Sequence, residues 1–284
     1  MKRLFIAAIF CMLFHGVAYA LPPQRIISLA PSITEILYAL GLENRIVAVT
    51  SFSDYPPRVR EKAKIGGMVN PSLEAIVRLN PDIVILTTDG NPKEVEIRLR
   101  RLGIRTYVSS ATRISELPDE IRKIGSLLGV KARAEKLAEH IEAAVSDSII
   151  KAKYLLKDDS HNVIRKKAVF IVWPAPLIVA GPDTAIDDTL TMLGWDNIAA
   201  DAGSRYPRYS IEELIRRSPD VIFIGKGSGM DELSSGLLKK LDMLDAVRKG
   251  RVYFTGDALY RIGPRVIDGI KEISGYLSKA ESEQ

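Results

Sequence analysis

Polar and aromatic residues collect just beyond the β-rich runs of this sequence, which is where open α/β sheets place their sites. Tyr55 lies in Ser53-Asp54-Tyr55-Pro56-Pro57, and Asp89-Gly90-Asn91 follows a run ending at Leu86. Trp173-Pro174-Ala175-Pro176 follows a run ending at Val172, and Tyr206-Pro207 precedes a helical pattern. Asp257-Ala258-Leu259-Tyr260-Arg261 follows a run ending at Phe254. Aromatic faces stack on broad planar molecules, while Asn, Asp and Arg hydrogen-bond a polar rim. The chemistry on offer is binding. Plainer roles fit some of these residues equally well. Trp173 suits core packing near a strand end, and Asp257 and Arg261, four apart, suit a local ion pair.

Catalytic constellations are hard to find. Beyond residue 20 the chain keeps two histidines, His140 and His161, and no cysteine, because His15 and Cys11 fall in the first twenty residues. His140 sits in a helical pattern and His161 in a polar stretch, both suited to solvent. No Gly-x-Ser-x-Gly elbow, P-loop or His-Glu-x-x-His pattern is present. Gly225-Lys226-Gly227-Ser228-Gly229 has the wrong spacing for a dinucleotide fingerprint and reads as a flexible turn. No resident cofactor or metal is expected. A carboxylate-based envelope enzyme stays open as a distant alternative, since 35 acidic residues are available and none stands out as a pair.

The elements that would position these residues come next. Lys2 and Arg3, the apolar run Leu4–Phe14 and the small residues Ala18-Tyr19-Ala20 have the layout of a secretory signal peptide cleaved after Ala20. Bulky Phe10 before Cys11 argues against lipid attachment. The product is expected to be a soluble periplasmic protein, held by packing without a disulfide. Loss of Lys2 and Arg3 lowers the net charge from +5 to +3, too mild for nucleic acid, and no basic block with interleaved aromatics is present.

β-rich runs alternate with helical patterns, the mark of an α/β fold with largely parallel sheets. Strands are expected at 25–29, 46–49, 83–86, 106–108, 169–172, 221–224 and 252–254. Ser32-Ile33-Thr34-Glu35 has capping-box spacing for a helix that stops near Gly41. From Ala132 to Leu156 there is no Gly or Pro, and apolar residues recur near a helical period. This predicts one long helix between two Rossmann-like lobes. The expected division is a leader at 1–20, a first lobe at 21–130, the bridging helix at 131–157 and a second lobe at 158–284.

The lobes echo one another. Residues 72–86 and 210–224 match at Ser, Glu, Arg, Pro and Asp, with apolar positions facing apolar ones. Each describes a short helix, a Pro-Asp turn and a buried strand. The echoed Glu74 and Glu212 fall in first helical turns, where a carboxylate offsets the helix dipole. As a symmetric pair, they also suit docking onto a two-fold partner carrying basic residues.

Over nearly the whole stretch from Ile26 to about Leu277 the chain resembles the periplasmic binding proteins of cobalamin, haem and siderophore importers. The resemblance is carried by Ser51–Pro57, Gly90-Asn91, Asp257–Arg261 and Pro264-Arg265, and is strongest to the cobalamin-binding members. It implies two lobes rigidly bridged by one helix, a monomer, and delivery of ligand to an ABC importer's membrane subunits. By position, it implies that Tyr55, Tyr206, Asp257 and Arg261 contact ligand and that Glu74 and Glu212 dock on permease arginines. Met68, Thr87 and Tyr206 stand where the cobalamin binders carry tryptophans. Cobalamin or a related corrinoid is the expected ligand, with Met68, Asn91 and Trp173 completing its contacts. A ferric siderophore or haem is the alternative, for which Arg205, Arg261 and Arg265 would serve an anionic complex.

Overall fold

The computed structural model describes residues 21–155, 166–226 and 230–282. The leader with its cleavage point, the polar stretch 157–162 containing His161, and the tip Gly227–Gly229 lie outside the described residues. Five parallel strands form the first sheet in the order β3-β2-β1-β4-β5. They are β1 (Ile26–Ser28), β2 (Ile46–Val49), β3 (Ala63–Lys64), β4 (Ile83–Thr87) and β5 (Thr106–Ser109). β1 and β4 are buried along their whole length. Runs of isoleucine and valine suit a sheet covered on both faces. Helices α1 (Pro31–Ala39), α2 (Leu73–Arg78), α3 (Lys93–Arg101) and α4 (Leu117–Leu127) supply the cover.

The second sheet has the order β10-β9-β6-β7, with β8 pairing the start of β6. Its strands are β6 (Lys167–Pro174), β7 (Leu177–Val179), β8 (Asp196–Asn197), β9 (Val221–Gly225) and β10 (Val252–Thr255). All pairs are parallel except β6–β7. β6 is longer than the sequence pattern implies, because it continues into the hairpin that returns as β7. That hairpin carried no periodic signal: its turn is Ala175-Pro176, and β7 is three residues long. Helices α6 (Ala185–Met192), α7 (Ile211–Arg217), α8 (Met230–Lys240), α9 (Asp245–Arg248) and α10 (Val266–Ser282) complete this lobe.

The sequence echo has a physical basis in both lobes. Ser72 and Ser210 cap α2 and α7, accepting hydrogen bonds from the backbone N–H groups of Ala75 and Glu213. Asn80 and Ser218, matched in the echo, both adopt positive φ where the helix turns back toward its strand. Asp82 then accepts from the N–H groups of Gln24 and Arg25 at 2.7 and 2.8 Å, while Asp220 accepts from Lys167 N–H at 2.8 Å. Each Pro-Asp turn thus ties the entry of one strand to its neighbour. Those backbone donors hold the Asp82 carboxyl below its usual range.

Between the lobes runs α5 (Lys131–Leu155), 25 residues and therefore about 37 Å long. It packs on α4 in the first lobe and α10 in the second. Ala134, Ile141 and Ala152 on its inner face belong to one buried cluster that also holds Ile26, Ile36, Phe170, Leu190, Phe223 and Ile273. A single core therefore crosses from lobe to lobe, and the connection is stiff. Satellite cores lie under α2 and α3 in one lobe and under α7 and α8 in the other.

One local expectation fails. The capping box at Ser32–Glu35 does not form: α1 starts at Pro31 with Ala30 as its N-cap and no side-chain cap. Proline is favoured at the first helical position, which moves the start two residues early and places Ser32 inside the helix. Glu35 is 4% exposed and reaches the other lobe instead.

Candidate ligand-binding cleft

The loop bearing Tyr55 is fixed from beneath by hydroxyl groups. Thr34 Oγ1 donates to Ser28 Oγ at 2.8 Å and lies 3.1 Å from Ser53 Oγ, which in turn lies 3.1 Å from Thr50 Oγ1. Lys64 Nζ donates to Ser53 O at 2.8 Å. This network ties the ends of β1 and β2 to α1 and leaves the next two residues, Asp54 and Tyr55, projecting outward; both are exposed. On the adjacent loop Asn91 is fully engaged. It accepts from Thr87 N–H at 2.8 Å and donates to Leu29 O and Met68 O at 3.0 and 2.9 Å. Asn91 therefore sets the position of Met68, whose terminal methyl occupies the space over Gly90 that any Cβ would need. Thr87 at the foot of this loop is buried.

From the second lobe, a turn running Gly256–Arg261 carries Asp257, Tyr260 and Arg261. Glu272 on α10 accepts from Gly256 N–H at 3.1 and 3.0 Å and anchors the turn. Gly269, also on α10, leaves the space that Leu259 fills. The Tyr260 ring meets Phe170 edge-on at 5.7 Å, and its hydroxyl sits where Gly225 has no Cβ. Burial pushes the Tyr260 phenol well above its usual range, and among the described residues its hydroxyl has no hydrogen-bond partner.

The two lobes meet in a buried ionic node. Arg265 donates to both Glu35 oxygens, at 3.0 and 2.8 Å, and to Asp257 at 2.9 Å. Its guanidinium also lies over the Tyr55 ring, 4.4 Å from the centroid. Arg261 reaches Asp54 at 2.6 Å, Asp257 at 3.2 Å and Glu35 at 3.3 Å. The Glu35 and Asp257 carboxylates raise the Arg265 pKa further and keep it charged despite burial. For Asp257, burial pushes the carboxyl up, but the Arg265 hydrogen bond and both arginine charges outweigh it and leave the pKa lowered.

A second cross-lobe contact lies nearer the solvent. Arg205 Nη1 is 3.2 Å from Asp89 Oδ1, with both side chains partly exposed. Next to it, Tyr206 keeps 37% of its surface open. Desolvation of its phenol, with Asp89 adding, pushes the pKa up to about 12, so it stays neutral near pH 7. Tyr55, Asp257 and Arg261 are thus brought together around Arg265, while Tyr206 joins Asp89 and Arg205. Met68 and Asn91 border the Asp89 loop. Trp173 is 38% exposed on the β6–β7 hairpin, and its indole N–H donates locally to Ala175 O at 2.8 Å.

Glu35, Asp54, Arg265 and Tyr260 complete the arrangement; the sequence reading named Arg265 only as a cation for an anionic ligand and Asp54 and Tyr260 only within their loop segments, and Glu35 was not among its site residues. Glu35 was hidden by a plausible local role. Arg265 was visible as a cation for an anionic ligand, but its carboxylate partners, 8 and 230 residues away, were not. Among the described residues no group of three or more His, Cys, Asp or Glu could hold a metal ion, and exposed His140 stands on α5.

Glu74 and Glu212 are both exposed, in the first turns of α2 and α7, and neither is in an ion pair among the described residues. Backbone N–H and Ser210 lower the Glu212 pKa. Glu212 also borders a cavity of about 480 Å³ shared with Pro176, Leu177 and Leu237.

Two α/β lobes on one stiff helix, with loops from both meeting across the space between them, have the architecture of a solute-binding protein. The periplasmic binding protein profile matches residues 26–259, and the chain belongs to that family. Members of this family bind ligands without transforming them, so the chain is not an enzyme. It is 30% identical over 265 residues to the vitamin B12-binding protein of Vibrio cholerae serotype O1, covering 92% of each chain. It is 32% identical over 261 residues to the uncharacterized ABC transporter substrate-binding lipoprotein YvrC of Bacillus subtilis, covering 89% of this chain and 79% of the relative. A periplasmic haem-binding protein of Pseudomonas aeruginosa superposes with a TM-score of 0.81 at 28% identity, covering 90% of this chain and 92% of that one.

Proposed function

We propose that the chain captures cobalamin or a related corrinoid between its lobes and delivers it to the membrane subunits of an ABC importer, on the outer side of the cytoplasmic membrane. Cleavage after Ala20 would free it as a monomer. The observation that carries the ligand assignment is charge balance. Three cleft arginines, Arg205, Arg261 and Arg265, are matched by four carboxylates, Glu35, Asp54, Asp89 and Asp257. A cleft so compensated offers little to a multiply anionic iron complex. It suits a broad, amide-rimmed ligand resting on Tyr55, Met68 and Tyr206 and hydrogen-bonded by Asp257. Trp173 would contribute a further apolar face, and Asn91 would act by holding Met68 in place. The family resemblance to vitamin B12-binding proteins supports the same ligand.

Haem is the second reading, favoured by the superposition on a haem binder and by the Tyr55 phenol as a possible iron ligand. Calorimetric titration of residues 21–284 with cyanocobalamin and with haemin separates the two. One-to-one binding of the corrinoid, weakened about tenfold or more by Asp257→Asn through loss of a charged acceptor, is the expected result. Binding of haemin alone would move the assignment to haem. For docking, Glu74 and Glu212 are the proposed contacts with basic residues of the two membrane subunits. Reversing both to lysine should abolish importer-dependent uptake with ligand affinity unchanged. A loss of affinity would instead place them in the ligand site.

A further inference from the structure

We propose that Arg205 is the exchangeable cation of the cleft: it leaves Asp89 to receive an anionic group, a phosphodiester or a carboxylate, on the rim of the bound ligand. This makes Arg205 and Asp89 a specificity-determining pair. The inference rests on the ligand-binding reading of the cleft and identifies the residue that would read the ligand's charge.

The three cleft arginines differ in their availability. Arg261 and Arg265 are 18% and 17% exposed, and each is bound to two or more carboxylates. Releasing either would strand buried charge. Arg205 is 33% exposed and has a single ion-pair partner among the described residues, Asp89, itself 28% exposed. A partly exposed pair of this kind contributes less than one built on a buried carboxylate, and each member keeps open surface through which it can be solvated when they part. The exchange is therefore inexpensive only at Arg205.

The backbones on both sides are fixed, so only side chains need to move. Gly181 N–H donates to Arg205 O at 2.8 Å, and the lack of a Cβ on Gly181 lets residues 204 and 205 approach. Asp89 N–H donates to Thr87 Oγ1 at 3.1 Å. The neighbouring Tyr206 ring, neutral and partly open, supplies a face for the ligand's planar body while Arg205 takes its charged arm. Asp89 competes for the same guanidinium. A neutral ligand gains nothing from breaking the pair, whereas an anionic arm replaces one carboxylate with another.

The test compares cyanocobalamin, which carries a phosphodiester, with dicyanocobinamide, which has the same ring and lacks that group. Dissociation constants are measured for the unsubstituted chain and for Arg205→Gln, Arg205→Lys and Asp89→Asn. Arg205→Gln should weaken cyanocobalamin by about tenfold through loss of a charged hydrogen bond, and cobinamide by less than about twofold. Asp89→Asn should tighten cyanocobalamin by up to about fivefold, the weight of an exposed pair, and Arg205→Lys should keep much of the preference. If the unsubstituted chain takes haemin and no corrinoid, the corrinoid assignment falls and the Arg205 assignment is read with haemin against its dimethyl ester. Equal changes on ligands with and without the anionic group, or no change at Arg205→Gln, overturn the proposal. Failure to bind either ligand class overturns both readings.

Discussion

The base and the mouth of the cleft hold the lobes together by the same kind of contact, carboxylate to guanidinium, in opposite environments. At the base, Glu35 is almost wholly buried and shared by two arginines, each of which keeps a further carboxylate. At the mouth, Asp89 and Arg205 meet once, and both side chains are partly exposed. A third cross-lobe contact, beside α5, pairs one buried and one half-exposed side chain. Asp188, 6% exposed, accepts from Arg113 Nε and Nη2 at 3.0 and 2.6 Å and from Ile114 N–H at 2.8 Å, but Arg113 is 44% exposed. Burial, more than geometry, decides what each contact is worth. It also divides the labour: a desolvated node can fix the angle between lobes, and a solvated one can be given up to a ligand.

The largest effect is expected at the base. Glu35→Ala removes the shared, almost wholly buried acceptor and leaves Arg265 and Arg261, each less than a fifth exposed, under-compensated. Breaking a buried ion pair costs about 3–5 kcal/mol, to be read as a lower urea midpoint at constant m. A loss below about 1 kcal/mol would mean that the remaining carboxylates, Asp54 and Asp257, satisfy both arginines, and the base would then resemble the mouth. Asp188→Ala should fall between the extremes, at about 1.5–3 kcal/mol for a charged hydrogen bond and an orphaned N–H. The half-exposed Arg113 can recover solvent, whereas Ile114 N–H cannot. Equal losses at Glu35 and Asp188 would show that exposure of the cation does not set the scale.

Local contacts were legible in the sequence and distant ones were not. The echo of 72–86 in 210–224 announced two short helices, two Pro-Asp turns and two buried strands, each marked by residue types within a few positions of each other. α5 was legible because an uninterrupted run of good helix formers has few alternatives. Ser32–Glu35 misled for the same reason that it was readable: the pattern fits a local cap, while the partners that win Glu35 lie 226 and 230 residues away. The hairpin turn at Ala175-Pro176 and the three-residue β7 left no period to detect. Of the expected cleft residues, those flanking strand ends were visible as types. The Asp257–Arg261 pair follows from its four-residue spacing, but which other arginine faces which carboxylate depended on how the two lobes meet, and no spacing rule carries that.

The smallest effect belongs to the mouth and tests the division most directly. Asp89→Asn, Arg205→Gln and the double variant form a cycle whose coupling energy isolates the pair from everything else that each residue does. Exposed ion pairs couple by about 0.2–1 kcal/mol, less as salt rises. Both backbones are held by their own hydrogen bonds, so neither substitution should move the loops, and the single variants should each lie within about 1 kcal/mol of the unsubstituted chain. Raising the salt should shrink the coupling at the mouth while leaving the Glu35→Ala loss nearly unchanged, because screening reaches exposed pairs far more than buried ones. A mouth coupling of about 3 kcal/mol or more, insensitive to salt, would place Asp89 and Arg205 in the same energetic class as the base. Arg205 would then be as fixed as Arg265, and a ligand's charge would have to be read by some other group.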